Sequence, residues 1–490
     1  MSTTYEIDEI LIGVSPGETR AALLAEGRLI ELVLAREAGA SLVGSIYLGR
    51  VGKPAPGTDA SFIELGEARA GFLARGDAKG VLDARGERHA RAPSEGEAVL
   101  VQVTQDAFGR KGPRVAATLA LPGHWLVFSP SRSGLAISHR IASAETRARL
   151  EAQLAPHLAE GEGAVVRTAG GTADGAVLLD ELVRLRGLWQ KILADAARAR
   201  APALLHADAD AIERVLRDHG GPSLRRVSCD RREVVTRAED ILARQKRAGR
   251  VEVALHQGPE PLFARHEIDE QIAEALEPVA PLPSGGSLVI GTLEALSAID
   301  VNTARQTGMR RFEEAALAVN LEAAAEIARQ VRLRNLAGLI VIDFLHMEQA
   351  SQRARVTDAL RSTFAGDPAG VQLVGFTSLG LFEMTRRRVR ESLSDALTES
   401  CEACRGKGRV ASAATVAYEV LRAVERRARA APAARLGVVA AAPVIAALEG
   451  EARPARERLE RELAAALSLR VGPSHRCDEF DIVSAPSAAG

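Results

Sequence analysis

Cysteine is scarce in this 490-residue chain: four occur, at positions 229, 401, 404 and 477. That is too few, and too scattered, for a disulfide-stapled secreted protein, so the expected compartment is a reducing cytoplasm. An excess of one charge is missing too. Sixty-three Lys and Arg stand against 64 Asp and Glu, a net charge of −1, so no bulk attraction draws the chain to nucleic acid and any polyanion site must be a local patch. Only six of the basic residues are lysines, a skew toward arginine that reads as coding bias rather than as a ligand signal. Long apolar runs are absent: none approaches the roughly 18 residues of a membrane span. The opening "MSTTYEIDEI" carries acids where a secretory leader needs a basic region and then an apolar one.

What is present is ordinary for folded protein, 47% hydrophobic and 26% charged, and the length accommodates two to four domains. The pattern predicts a multidomain α/β and α+β chain. Residues 1–36 alternate apolar and polar around Gly13, Pro16-Gly17 and Gly27, as two or three antiparallel strands. Five short strands with Gly-rich turns over 37–118 fit a small closed barrel of the OB type. Mixed strand and helix over 119–211 suggest an α/β insertion, and 212–275 read as helical and then stranded. Within 276–397, "PLPSGGSLVIGTLEALSAIDVN" predicts a hairpin, "FEEAALAVNLEAAAEIARQVRLRN" a helix of about six turns, and "GLIVIDFL" a fully buried strand, together a βαβ-like core. A short knuckle, 398–410, precedes a helical region with one last strand, 411–490.

The sharpest chemical feature is a pair of aspartates at strand ends, Asp300 in "LSAIDVNTAR" and Asp343 in "GLIVIDFLHM". Two readings compete. Each Asp could cap a following helix or turn; or the two could sit at neighbouring strand ends and hold Mg²⁺, which keeps several waters and takes its remaining ligands from a substrate phosphate. Asn302, two positions after Asp300, shares its face and could place the phosphate or a water. His346 reads as a surface or structural residue. Phe62 and Phe72, followed by the basic "GRKGPR" with Lys111, have the make-up of a base-stacking barrel face, although strand phenylalanines are commonly core. Arg167 and Thr168 in "VVRTAGG" could grip a terminal phosphate or be plainly solvated. In "CEACRGKGRV", Cys401 and Cys404 have zinc-knuckle spacing but supply two of the four ligands of a closed site. They could also be plain thiols in a Gly-rich turn. Cys229, His475 and Cys477 lack paired spacing, so the simpler completion is a second copy of the same knuckle across a two-fold axis.

Together these strings, with "GSIYLGRV", "LPSGGSLVI", "NLEAAAEIARQVRLRNLAGLIVIDF" and "GLFEMTRRR" in that order, resemble the ribonuclease E/G family of bacterial endoribonucleases over nearly the whole chain, in its short form. The resemblance implies an RNase H-like subdomain (1–36 and 212–275), an inserted S1-type OB-fold barrel (37–118) and 5′ sensor (119–211), a DNase I-like catalytic subdomain (276–397), a zinc-link (398–410) and a small C-terminal α/β domain (411–490). It implies Asp300, Asn302 and Asp343 as the catalytic set with Mg²⁺ on the aspartates, and Phe62, Phe72 and Lys111 as RNA contacts. Arg167, Thr168, Gly123 and Val127 fall on the 5′-phosphate sensor. Cys401 and Cys404 would share Zn²⁺ between chains, in homodimers that pair into a homotetramer. The implied activity is cleavage of single-stranded, A/U-rich, 5′-monophosphorylated RNA in mRNA decay and rRNA processing. Two departures stand out: "ISHRI" puts His139 where the family commonly has an arginine, and Glu402 stands where it commonly has proline. The rivals are a non-catalytic RNA-binding or assembly factor on the same fold and a DNA nuclease on the same core.

Overall fold

The computed structural model describes residues 5–38, 41–54, 60–78, 80–88, 93–107, 111–208, 210–247, 249–293, 295–303, 309–404, 406–430 and 436–484. The chain divides into two compact units, Met1–Ala396 and Leu397–Gly490. Both mix helices with sheets.

The first strands, Glu9–Ser15, Glu18–Ala25 and Arg28–Arg36, form the antiparallel meander that the sequence predicts. Its second turn needs left-handed backbone at both Glu26 (φ 52°) and Gly27 (φ 76°), the conformation of a tight hairpin turn matched to strand twist. Glu9–Ser15 also pairs in parallel with Arg226–Cys229, which pairs in parallel with Glu252–Leu255. One five-stranded sheet is thus assembled from segments some two hundred residues apart in sequence, with the helices Ala211–His219 and Arg232–Arg244 packed on it around Ile10, Ile12, Leu23, Val227 and Ile241.

Between those halves lies a closed five-stranded barrel, compatible with an OB fold: Ile46–Pro54, Ala60–Glu64, Gly71–Ala74, Arg114–Ala116 and Ala98–Gln105, with the last pairing back to the first. Tyr47, Ile63, Leu73, Val99, Val101 and Val115 fill it. A sixth strand, Ala203–His206, joins Ile46–Pro54 from outside. A four-stranded sheet follows (Leu121–Pro122, Leu126–Ser129, Gly134–Ile137 and Gly163–Val166), with the helices Ala144–Leu154 and Gly175–Arg198.

The sheet that carries both aspartates has six strands in the order Val279–Pro281, Ser287–Thr292, Leu296–Asn302, Gly338–Asp343, Phe382–Arg386, Val371–Phe376. Leu296–Asn302 and Gly338–Asp343 are parallel, and the helix Met309–Leu333 crosses between them, the βαβ unit that the periodicity predicts. A charged seam ties this helix to the first sheet. Buried Glu326 takes Arg28 and Arg329, while Glu31 takes Arg332 and Arg390.

"GLIVIDFL" is not fully buried, as its unbroken apolar run had suggested. Ile340 and Ile342 point into the core at 0% exposure, while Leu339 is 39% exposed. Helices cover one face of the sheet; Val289, Leu339 and Val374 lie on exposed positions of its strands. In the second unit, Leu436–Ala440 lies between Ser468–Val471 and Phe480–Ser484, backed by the helices Ala413–Ala430, Ala442–Glu449 and Arg453–Glu462. Among the described residues no helix is long and apolar enough to cross a membrane.

Candidate active site and nucleic-acid-binding positions

The alternation of "LSAIDVN" decides where Asp300 goes. Ile299 and Val301 are buried, so Ala298, Asp300 and Asn302 emerge on the opposite, uncovered face. Asp343 ends its strand on that same face, and the parallel register sets it directly opposite Asp300. Neighbouring strands are about 4.8 Å apart, so the two carboxylates are close neighbours. Asn302 Nδ2 donates to Asp300 Oδ2 at 2.8 Å, fixing one oxygen. Among the described residues no Lys, Arg or His forms an ion pair with either Asp, and no set of three or more His, Cys, Asp or Glu is grouped to hold a metal.

Helix capping does not account for the pair. Asp300 lies inside its strand, and the helix after Asp343, Ala350–Phe364, has Gln349 at its N-cap. Two adjacent hard-oxygen ligands suit a cation that completes its shell with water and phosphate oxygens, so the donor set fits Mg²⁺. His346 is exposed, as expected.

On the barrel, Phe62 and Phe72 are cross-strand partners with ring centroids 6.1 Å apart in an edge-on arrangement. Ile63 and Leu73 take the inward positions, so both aromatics face outward, and Phe62 is 40% exposed. The core alternative for Phe62 therefore falls. Lys111 is exposed, with its carbonyl accepting from Arg69; Gly109 and Arg110 of the basic loop lie outside the described residues. Arg114, the last residue of "GRKGPR", stands beside Phe72 in register and pairs with Asp77 at 2.7 Å.

The phosphate-gripping candidates also come together. Arg167 follows the strand Gly163–Val166, and its Nη1 donates to the Gly123 carbonyl at 2.8 Å and to Asp218 Oδ1 at 2.9 Å. Thr168 Oγ1 lies 3.1 Å from Ser138 Oγ. Val127, half-buried, pairs with Val165 in the adjacent strand. Gly123 must be glycine on packing grounds: a Cβ there would lie 2.6 Å from the Glu181 carboxylate oxygens, which accept the N–H groups of His124, Trp125 and Leu126. His139 is exposed, and its neighbour Arg140 donates to the Asp367 carbonyl.

Asp218 and Arg217 were invisible from sequence. Arg217 bonds Asp218 Oδ2 at 3.0 Å and Asp208 Oδ1 at 3.0 Å, which makes a chain of alternating charges ending at Arg167. Burial alone would raise the Asp218 carboxyl; the hydrogen bond and charge of Arg217, with Arg167, outweigh it and hold it down to about 2.

In the second unit Cys401 is exposed and Cys404 partly so. Hydrogen bonds from the Gly408 and Gly406 backbone, with a smaller contribution from the Cys401 side chain, lower the Cys404 thiol, which favours the thiolate that a metal takes. Cys229 is buried in the core of the first sheet, and Cys477 contacts the Ala411 carbonyl. Among the described residues neither Cys477 nor His475 joins the knuckle in a three-ligand group.

The family model of the Ribonuclease E/G family matches residues 120–389, a span that holds the sensor candidates and both aspartates. Ribonuclease G of Escherichia coli (strain K12) is 33% identical over 484 residues, covering 97% of this chain and 99% of the relative. Ribonuclease G of Haemophilus influenzae is 35% identical, covering 85% and 87%. Ribonuclease E of Escherichia coli (strain K12) is 34% identical over 90% of this chain and 42% of its own greater length. With identity of this order running from the first sheet through the aspartate pair to the small second unit, the chain belongs to the ribonuclease E/G family.

Proposed function

We propose that this protein is a Mg²⁺-dependent endoribonuclease that cuts single-stranded RNA at A/U-rich sites, stimulated by a 5′-monophosphate, in cytoplasmic RNA processing and decay. The observation that carries the reading is the in-register Asp300–Asp343 pair with Asn302 bonded to it. The names of the relatives, ribonucleases G and E, support the substrate class.

Asp300 and Asp343 bind the cation through carboxylate oxygens, and Asn302 keeps the Asp300 carboxylate from turning. When bound, Mg²⁺ would supply a water of lowered pKa and neutralise the phosphate held beside the two aspartates, and the products of this reading are a 3′-hydroxyl and a 5′-phosphate. Phe62 and Phe72 offer a stacking platform for successive bases, with Lys111 for the backbone. Arg167 and Thr168 receive the 5′-phosphate, beside Gly123 and Val127. In this reading the first sheet is the RNase H-like subdomain, the barrel is of S1 type, 119–211 is the 5′ sensor and 276–397 is DNase I-like. The knuckle at 398–410 then joins two chains through a shared Zn²⁺, and dimers pair into a tetramer.

The test is a fluorescent single-stranded RNA incubated with Mg²⁺, with a chelator, and beside DNA of the same sequence. Cleavage of RNA alone, and only with the metal, is expected. Equal cutting of DNA, or undiminished cutting under chelation, overturns the reading.

A further inference from the structure

A cavity of about 320 Å³ opens between the strand Leu121–Pro122, the helix Gly175–Arg198, residues 206–208 and 210–213, and the helix Arg232–Arg244. Gly123, whose carbonyl accepts from Arg167, lies on its wall, whereas Asp300, Asp343, Phe62, Phe72, Arg167 and Thr168 do not line it. Its size is at the lower end of small-molecule sites, roughly 300–1,000 Å³. Half-buried Leu188 gives it apolar surface, while Leu121, Leu185 and Ile241, each 1% exposed, reach it only at their edges.

Its polar groups are not all satisfied. Gln245 lines the cavity at 8% exposure, and its Oε1 is buried without a hydrogen-bond partner, an acceptor awaiting a donor. Arg184 and Arg244 are about half exposed, and among the described residues each makes its ion pair through Nη2 alone, 3.4 Å to Glu181 and 3.5 Å to Glu213. The carboxylates around the cavity are engaged: Glu181 by three backbone N–H groups, Asp208 by Arg217, Asp210 by Arg237 and Glu213 by Arg237 and Arg244. Burial lowers the His206 pKa, so that ring is neutral at pH 7 and offers one donor and one acceptor.

An apolar patch at Leu188, a buried acceptor without a partner and two half-exposed guanidinium groups suit one kind of ligand. We propose that this cavity binds a nucleoside monophosphate, its base against Leu188 with an N–H on Gln245 Oε1, and its phosphate on Arg184 and Arg244. A free mononucleotide and the end nucleotide of an RNA strand share this chemistry.

The experiment is calorimetric titration of the full chain with AMP, in wild type and in Gln245→Leu, Leu188→Trp and Arg167→Ala. Leucine at 245 removes the acceptor at similar volume, and tryptophan at the half-buried Leu188 obstructs the cavity. Saturable binding is expected in wild type and in Arg167→Ala, which removes the other candidate phosphate site. Gln245→Leu should weaken it about tenfold, Leu188→Trp should abolish it, and ribose 5-phosphate should bind far more weakly than AMP. Competition by a 5′-monophosphorylated decanucleotide in the Arg167→Ala background assigns the site to a strand end; its absence assigns it to the free nucleotide. Three results overturn the proposal: no saturable AMP binding, AMP binding lost in Arg167→Ala while both cavity variants keep it, or equal affinity for ribose 5-phosphate.

Discussion

Asp300 and Asp343 stand opposite each other in register on adjacent parallel strands, and the same register continues back through Ile299 and Ile342 into the core. The buried isoleucines anchor the backbone, so packing holds the carboxylates side by side, and among the described residues no Lys, Arg or His pairs with either. Like charges at this spacing are unfavourable, and the arrangement makes chemical sense where a cation is drawn between them.

Asp300→Asn and Asp343→Asn should each lower cleavage by roughly a thousandfold, the loss expected when a ligand to a charge-stabilising metal is neutralised. RNA affinity should stay within a few-fold, because Phe62 and Phe72 lie on a different sheet. The check is single-turnover cleavage beside filter binding; near-wild-type cleavage in both variants would refute the metal pair.

Arg167 is held by Asp218 as well as by the Gly123 carbonyl. Arg167→Ala should erase the rate advantage of 5′-monophosphate over 5′-hydroxyl RNA, while the hydroxyl substrate is cut as before. Asp218 also gives this region an acid limit. Its folded pKa, about 2, lies below the ordinary value of 3.8, so its stabilising effect is complete above that value and is lost as pH falls from about 4 toward 2. Thermal unfolding should therefore show a deficit for Asp218→Asn at pH 6 that shrinks at pH 3. A deficit independent of pH would mean that the carboxylate charge contributes nothing.

How far the sequence carried the reading depends on the range of the interaction. The alternation in "LSAIDVN" is local, and it placed Asp300 and Asn302 on one face correctly. "GLIVIDFL" misled because Leu339 and Val341 are as apolar as Ile340 and Ile342; no pattern in the strand itself tells that only one face is covered. Asp218 lies 51 residues from Arg167, and Glu181 lies 55–57 residues from the N–H groups that it accepts. Such pairings are set by how the sheets stack, as is the sixth strand on the barrel. The outward position of Phe62 needed the fold as well, since phenylalanine in a strand fits a core equally well by composition.

That outward position separates binding from stability. Phe62→Ala should weaken single-stranded RNA binding roughly tenfold, the contribution of one stacked base, and barely move the melting temperature. Ile63→Ala, one residue along at 0% exposure, should instead destabilise the barrel by about 2–5 kcal/mol. Anisotropy with a labelled oligonucleotide and thermal unfolding together distinguish the two; a Phe62 variant that melts early would return the ring to the core.

Cys401 and Cys404 carry the last prediction. Hydrogen bonds from Gly408 and Gly406 already lower the Cys404 thiol, yet the described residues of the chain bring no third His, Cys, Asp or Glu into a group with the two. A tetrahedral site needs four ligands. Two copies of the knuckle meet that count by symmetry, so zinc should be present at half an atom per chain. Cys401→Ser with Cys404→Ser should lose the metal and fall to a smaller assembly while the second unit, whose core is Val416, Val420, Val438 and Leu448, stays folded. Elemental analysis and light scattering read both quantities, and circular dichroism reads the fold. One zinc per chain would place the missing ligands within the same protomer, and an unchanged mass in the metal-free variant would show that the zinc does not join the chains.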